Sequence, residues 1–156
     1  MSRTAAVLPL LCLLAACGAD PEDRLEKARA HLASGAWADA AAAASQGLAA
    51  GAEGPTAWRL ELTALEGEAR AGRTGDVLAR LERLAEAWAA QVTGALYVQT
   101  AGQVKEAGDA AGAINVLDAG ARRFPDDADI ARAIDQLQAS GSAEEIERLR
   151  SLGYVE

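Results

Sequence analysis

The chain has 156 residues, enough for one domain, and 51% of them are hydrophobic, although much of that share is alanine. Its formal net charge is −8. That balance argues against nucleic acid, since neutralising phosphates takes a basic face, and against the folded part lying on anionic lipid by charge alone. Alanine and leucine with Arg, Glu and Asp, few β-branched residues and few aromatics favour helix, and alternating strand patterns are absent.

The chain begins MSRTAAVLPLLCLLAAC. Arg3 supplies a short positive region, Ala5 to Leu14 an apolar core too short to span a bilayer, and Ala15-Ala16 the small residues before a cut. The order predicts a secretion signal over residues 1–16. Leu14-Ala15-Ala16-Cys17 resembles the bacterial lipobox. That resemblance implies a diacylglycerol on the sulfur of Cys17, a cut before it and an acylated new amine, hence a lipid-anchored protein of the bacterial cell envelope. Gly18, in place of Asp, implies the outer membrane, facing the periplasm. An ordinary signal peptide with Cys17 incidental is the alternative. Cys12 would leave with the signal, so no thiol would remain for a disulfide, a metal or a nucleophile. Without residues 1–16, which carry only Arg3, the balance is 14 basic against 23 acidic residues, or −9.

Residues 17–20 form a short tether; three residues reach about 10 Å, which keeps the domain of residues 21–156 close to the bilayer. Asp20 caps a first helix, Pro21 suits its first position, and it runs to about Ala33 with Leu25, Ala28 and Leu32 on one face. Ser34-Gly35 ends it and Trp37 opens a second helix. There the run Ala40–Ala44 predicts close packing, because only small side chains let helices approach so far. After the loop Gly51–Gly54, Pro55 starts a third helix with Trp58, Leu62, Leu65 and Ala69 inward, ended by Gly72. Thr74 or Gly75 starts a fourth, carrying Val77, Leu78, Leu81, Leu84 and Trp88.

Two further patterns follow: Leu96, Val98, Ala101 and Val104, then, past Gly108, Ala113, Ile114, Val116 and Leu117. Gly108 suits a left-handed helix end, Asp109 caps the next helix, and Phe124-Pro125 stops it. Asp126 is expected to cap a seventh helix with Ile130, Ala133, Ile134 and Leu137 inward. Gly141 ends that helix, and Ser142 with Glu145 forms a capping box for a short last one through Leu149. Gly153 then ends the last helix, and Tyr154 folds back on Leu149.

Gly108, Ala101, Ala113, Gly120 and Pro125 stand where a tetratricopeptide repeat has its turn glycine, its crossing small residues and its closing proline, so residues 97–127 resemble that family. Gly35, Trp37, Ala40 and Ala44 resemble the second half of an earlier unit, and the unit around Gly72 fits less well, with Val77 and Leu81 in place of small and aromatic residues. The resemblance implies an all-α, right-handed α-solenoid of about three helix pairs plus a C-terminal capping helix. The first helices of the pairs would then line a groove for another envelope protein. Carried over by position, the partner-binding residues are Arg29, Arg59, Thr63, Glu66, Arg70, Gln99 and Lys105, with Leu25, Leu32, Leu62, Val98 and Gly102 beside them. The family's carboxylate clamp is not expected, because its asparagines are missing. In architecture the chain resembles repeat-bearing lipoproteins that accompany pilus, outer-membrane or polysaccharide-export machinery.

No catalytic apparatus is visible. The one histidine, His31, lies at a repeat packing position with no nucleophile pattern beside it, and a zinc site would need more ligands. The paired carboxylates Glu22-Asp23, Asp126-Asp127 and Glu144-Glu145 sit where helices start, and the glycines are spaced as helix stops, not as a phosphate loop. No cofactor is expected. The favoured expectation is therefore a scaffold. Two alternatives are a small-molecule or glycan-binding lipoprotein with its three tryptophans in a pocket, and a non-catalytic accessory subunit of an envelope enzyme.

Overall fold

The computed structural model describes residues 20–156. The expected signal over residues 1–16 and the lipidated Cys17 lie outside the described residues. Eight α-helices and no strand are present among the described residues, so the fold is all-α. They are α1 (Pro21–Ala33), α2 (Trp37–Ala49), α3 (Gly54–Arg70), α4 (Thr74–Ala87), α5 (Gly94–Glu106), α6 (Ala110–Arg123), α7 (Ala128–Ser140) and α8 (Ala143–Ser151). No described helix is long and apolar enough to cross a membrane.

One turn is used three times. Gly35, Gly72 and Gly108 take φ values of +77°, +70° and +94°, which side chains resist. Each time the residue after the glycine donates to a carbonyl five positions back: Ala36 to His31, Arg73 to Glu68 and Asp109 to Val104, at 2.9, 2.9 and 3.2 Å. The same three-residue connection therefore joins α1 to α2, α3 to α4 and α5 to α6. The links between pairs are longer. Within this order α1 packs on α3, α3 on α5 and α5 on α7, while α4 packs on α6 and α6 on α8.

The alanine run of α2 behaves as expected. Ala40, Ala41, Ala43 and Ala44 are buried, and α2 lies so close to α3 that a Cβ on Gly67 would stand 2.7 Å from the Trp37 carbonyl oxygen. Apolar residues gather in two clusters. A small one holds Leu25, Ala28, Ala43, Ala44, Leu60 and Ala64. A larger one runs from Leu65 and Ala69 through Val77, Leu81, Tyr97, Val104, Ile114 and Leu117 to Ile130 and Leu149. Helix α3 contributes to both.

Several details differ from the sequence expectation. The cap of α7 is Asp127, not Asp126: its Oδ1 accepts from the amides of Asp129 and Ile130 at 3.0 and 3.1 Å. Trp88 ends α4 as its C-cap residue and is not on the helix. On α3 the deepest leucine is Leu60, which is fully buried, whereas Leu62 is only half-buried, because α3 is enclosed on more than one side. Leu25 is 2% exposed and belongs to the core, so it is not part of an open groove. Asp109, Asp20 and Ser142 cap as read, the last in a full capping box with Glu145. At the end, Gly153 has φ +86° and the Tyr154 amide donates to the Leu149 carbonyl at 3.0 Å.

Candidate functional site

The pairwise turns set α1, α3 and α5 side by side. Between them lies a cavity of about 240 Å³ lined by Arg29, Arg59, Leu62, Thr63, Glu66, Gln99 and Gln103, among others. Five of the seven residues read from sequence as partner-binding thus meet in one place. A second cavity, of about 370 Å³, shares Gln99 and continues past Val98 to Asp129, Arg132 and Gln136 on α7. A third, of about 260 Å³, shares Val98, Ala133 and Gln136, and takes in Gly102, Lys105 and Leu137. The three adjoin along α5, polar at the Arg29 end and apolar at the Leu137 end.

The charges in this row are unevenly engaged. Arg29 is exposed and has no ion-pair partner among the described residues. Arg59 lies 3.8 Å from Glu22 and donates from Nε to the Pro55 carbonyl at 3.2 Å. The hydroxyls of Thr63 and Thr100 donate back along their own helices to the carbonyls of Arg59 and Leu96, each at 2.7 Å.

Arg70 and Lys105 do not join Arg29 and Arg59. Arg70 lies over the Trp37 ring at 5.1 Å, donates to Glu66 at 2.9 Å and sits 3.7 Å from Glu106. The Lys105 ammonium stands 2.6 Å from Oε1 of the buried Glu145 on α8. Together with the amide of Ser142 it holds the Glu145 carboxyl down at about 2. Arg70 lines none of the three groove cavities, whereas Lys105 lines the third while it pairs with Glu145.

The tryptophans have partners of their own. Trp58 and Trp88 pack at 5.5 Å between ring centres, and Trp37 carries Arg70. No tryptophan lines any of the three groove cavities. His31 is half-buried near the end of α1. Among the described residues no group of three His, Cys, Asp or Glu side chains is arranged to hold a metal ion.

Reading the sequence missed one buried polar cluster. Arg80 of α4, 5% exposed, donates to both oxygens of Glu68 at 2.8 Å, to Glu61, and to the Ser45 hydroxyl at 3.3 Å. Burial works against its charge, but the hydrogen bonds and charges of Glu68 and Glu61 outweigh that and hold its pKa above the ordinary arginine value. The available signal was the seven-residue spacing of Glu61 and Glu68, which puts both carboxylates on one face of α3, with Arg80 within the next helix, eight residues past the turn glycine Gly72. The cluster ties α2, α3 and α4 together and opens into none of the groove cavities, so its role is structural. The chain matches no family model, and no curated protein or solved structure is significantly similar to it.

Proposed function

We propose that this chain is a lipid-anchored, non-catalytic adaptor of the bacterial envelope that holds another envelope protein along the row formed by α1, α3, α5 and α7. In this reading the helix pairs are tetratricopeptide-like units of a right-handed solenoid, and Cys17 carries the lipid that keeps the domain at the outer membrane, facing the periplasm. The observation that carries the reading is the convergence of Arg29, Arg59, Thr63, Glu66 and Gln99 on one cavity, continued by two more along α5. The thrice-used glycine turn and the stacking of each odd-numbered helix on the next support the repeat architecture. A row of shallow, adjoining depressions suits an extended segment better than a compact small molecule. The engaged tryptophans weigh against a glycan pocket.

The test is crosslinking in native membranes, affinity recovery and mass spectrometry, comparing the intact chain with Arg29→Glu/Arg59→Glu. One envelope protein recovered with the intact chain and lost with the variant is the expected result. The same partners from both would overturn the groove assignment. Labelled palmitate should enter the intact chain and not Cys17→Ser; equal labelling would overturn the anchor.

A further inference from the structure

The largest of the cavities described lies away from the groove, between α4 and α6, with about 590 Å³ of free space. The two helices run side by side in the same direction. Their starts are tied by Thr74 Oγ1 donating to Asp109 at 2.5 Å, and their ends by Arg123 donating to the Ala85 carbonyl at 3.2 Å. Between these ties the helices part, and α4 touches α6 far less than α3 touches α5. The floor is apolar, formed by Leu81, Ala85 and the ring of Tyr97, with half-buried Leu78 and Ala119 on the walls.

Three features mark this cleft. Tyr97 is 3% exposed and lines the cleft, yet its hydroxyl has no hydrogen-bond partner among the described residues. Burial raises its pKa, and the charges of Arg123 and Glu82, both cleft residues, act on it in opposite senses. On the α4 wall, Glu82 and Glu86 are exposed and have no ion-pair partner among the described residues. On the α6 wall stand the guanidinium groups of Arg122 and Arg123. Arg122 is 72% exposed at the side chain and pairs with Asp118 on its own helix. One wall is therefore anionic and the other cationic, with a greasy floor and one free phenol between them.

A ligand that satisfies all of these is amphoteric: an apolar body, a cation at one end, an anion at the other and a carbonyl in the middle. We propose that the α4–α6 cleft binds a small zwitterionic peptide, of about three residues, lying across the cleft. Its ammonium meets Glu82 and Glu86, its carboxylate meets Arg122 and Arg123, a backbone carbonyl accepts from Tyr97, and an apolar side chain rests on Leu81 and Ala85. The size agrees: three residues span about 10 Å, the distance between packed helices, and the free volume lies within the range of small-ligand sites.

The experiment is calorimetric titration of the full chain, purified in detergent, with the free tripeptide Ala-Leu-Ala, its N-acetylated form and its C-terminal amide. The variants are Glu82→Gln/Glu86→Gln, Arg122→Gln and Tyr97→Phe, each first shown by circular dichroism to be folded. The free tripeptide is expected to bind, and blocking either end to weaken it about tenfold, or roughly 1.4 kcal/mol. Acetylation should then cost nothing further in Glu82→Gln/Glu86→Gln, and amidation should cost less in Arg122→Gln, where Arg123 alone remains, than in the intact chain. Tyr97→Phe, which removes only the hydroxyl, should weaken all three peptides alike. No binding of the free tripeptide at 10 mM overturns the proposal, and so does binding that is indifferent to both end groups or to all three variants.

Discussion

Replacing Arg80 by methionine removes the one cation that faces Glu68 and Glu61 while keeping most of the side-chain volume. Glu68 is 6% exposed and accepts both of its strong bonds from Arg80; the next cation, Arg73, is 4.0 Å away and half in solvent. The variant thus leaves a buried carboxylate with one distant counter-charge and a second carboxylate beside it. Removing one partner of a buried pair costs about 3–5 kcal/mol, a large share of the roughly 5–15 kcal/mol that holds a domain together. For a folded part of this size that corresponds to a melting temperature lower by roughly 10–15 °C. Urea unfolding followed by tryptophan fluorescence reads it directly, since Trp37, Trp58 and Trp88 all pack between elements. The double variant Arg80→Met/Glu68→Met should recover most of the loss, because it removes the stranded charge as well. A single variant that loses less than about 1 kcal/mol, or a double variant no better than the single, would refute the reasoning.

Three further outcomes follow from the packing. The Glu145 carboxyl is held at about 2 in the folded chain, below the ordinary value of 4.5, so its contribution is present above that ordinary value and lost as pH falls through the window down to about 2. Lys105→Met should narrow the gap between neutral and acid stability, with intact chain and variant converging near the bottom of that window; parallel curves would refute it. Gly67→Ala should destabilise by about 1–3 kcal/mol, since the new methyl meets backbone atoms of Trp37 and Ala41 at 2.7 and 2.9 Å. Gly102→Ala, with nothing within 4 Å, should instead stabilise by about 0.5–1 kcal/mol in the same denaturant titration.

The helices were legible because their punctuation is chemical and local. A glycine forced to positive φ, a proline and a capping box each act over a few residues, so Gly35, Gly72, Gly108 and Ser142 could be read directly. The choice between Asp126 and Asp127 was not legible: adjacent aspartates offer the same cap, and only the angle at which α7 enters selects one. Periodicity sees one face of a helix at a time. It found Leu65 and Ala69 on α3 but missed Leu60, because α3 is covered by α1 and α2 as well as by α4 and α5. The groove shows the same division. Position along the chain brought Arg29, Arg59, Thr63, Glu66 and Gln99 to one cavity and Lys105 to the third, but the pairing of Lys105 with Glu145, forty residues on in sequence, is announced by no local pattern.

The division of the apolar residues at α3 sets how the molecule comes apart. Around α1 and α2 the buried surface is mostly methyl groups of alanine, each giving up far less water-exposed area than the leucines, valines and isoleucines around α5 and α6. Contact there depends on close approach, which a small separation of α2 from α3 abolishes at once. Backbone amides of α1 and α2 are therefore expected to exchange with solvent sooner than those of α5 and α6, and the bond from Arg80 to Ser45 on α2 is one that such an opening breaks.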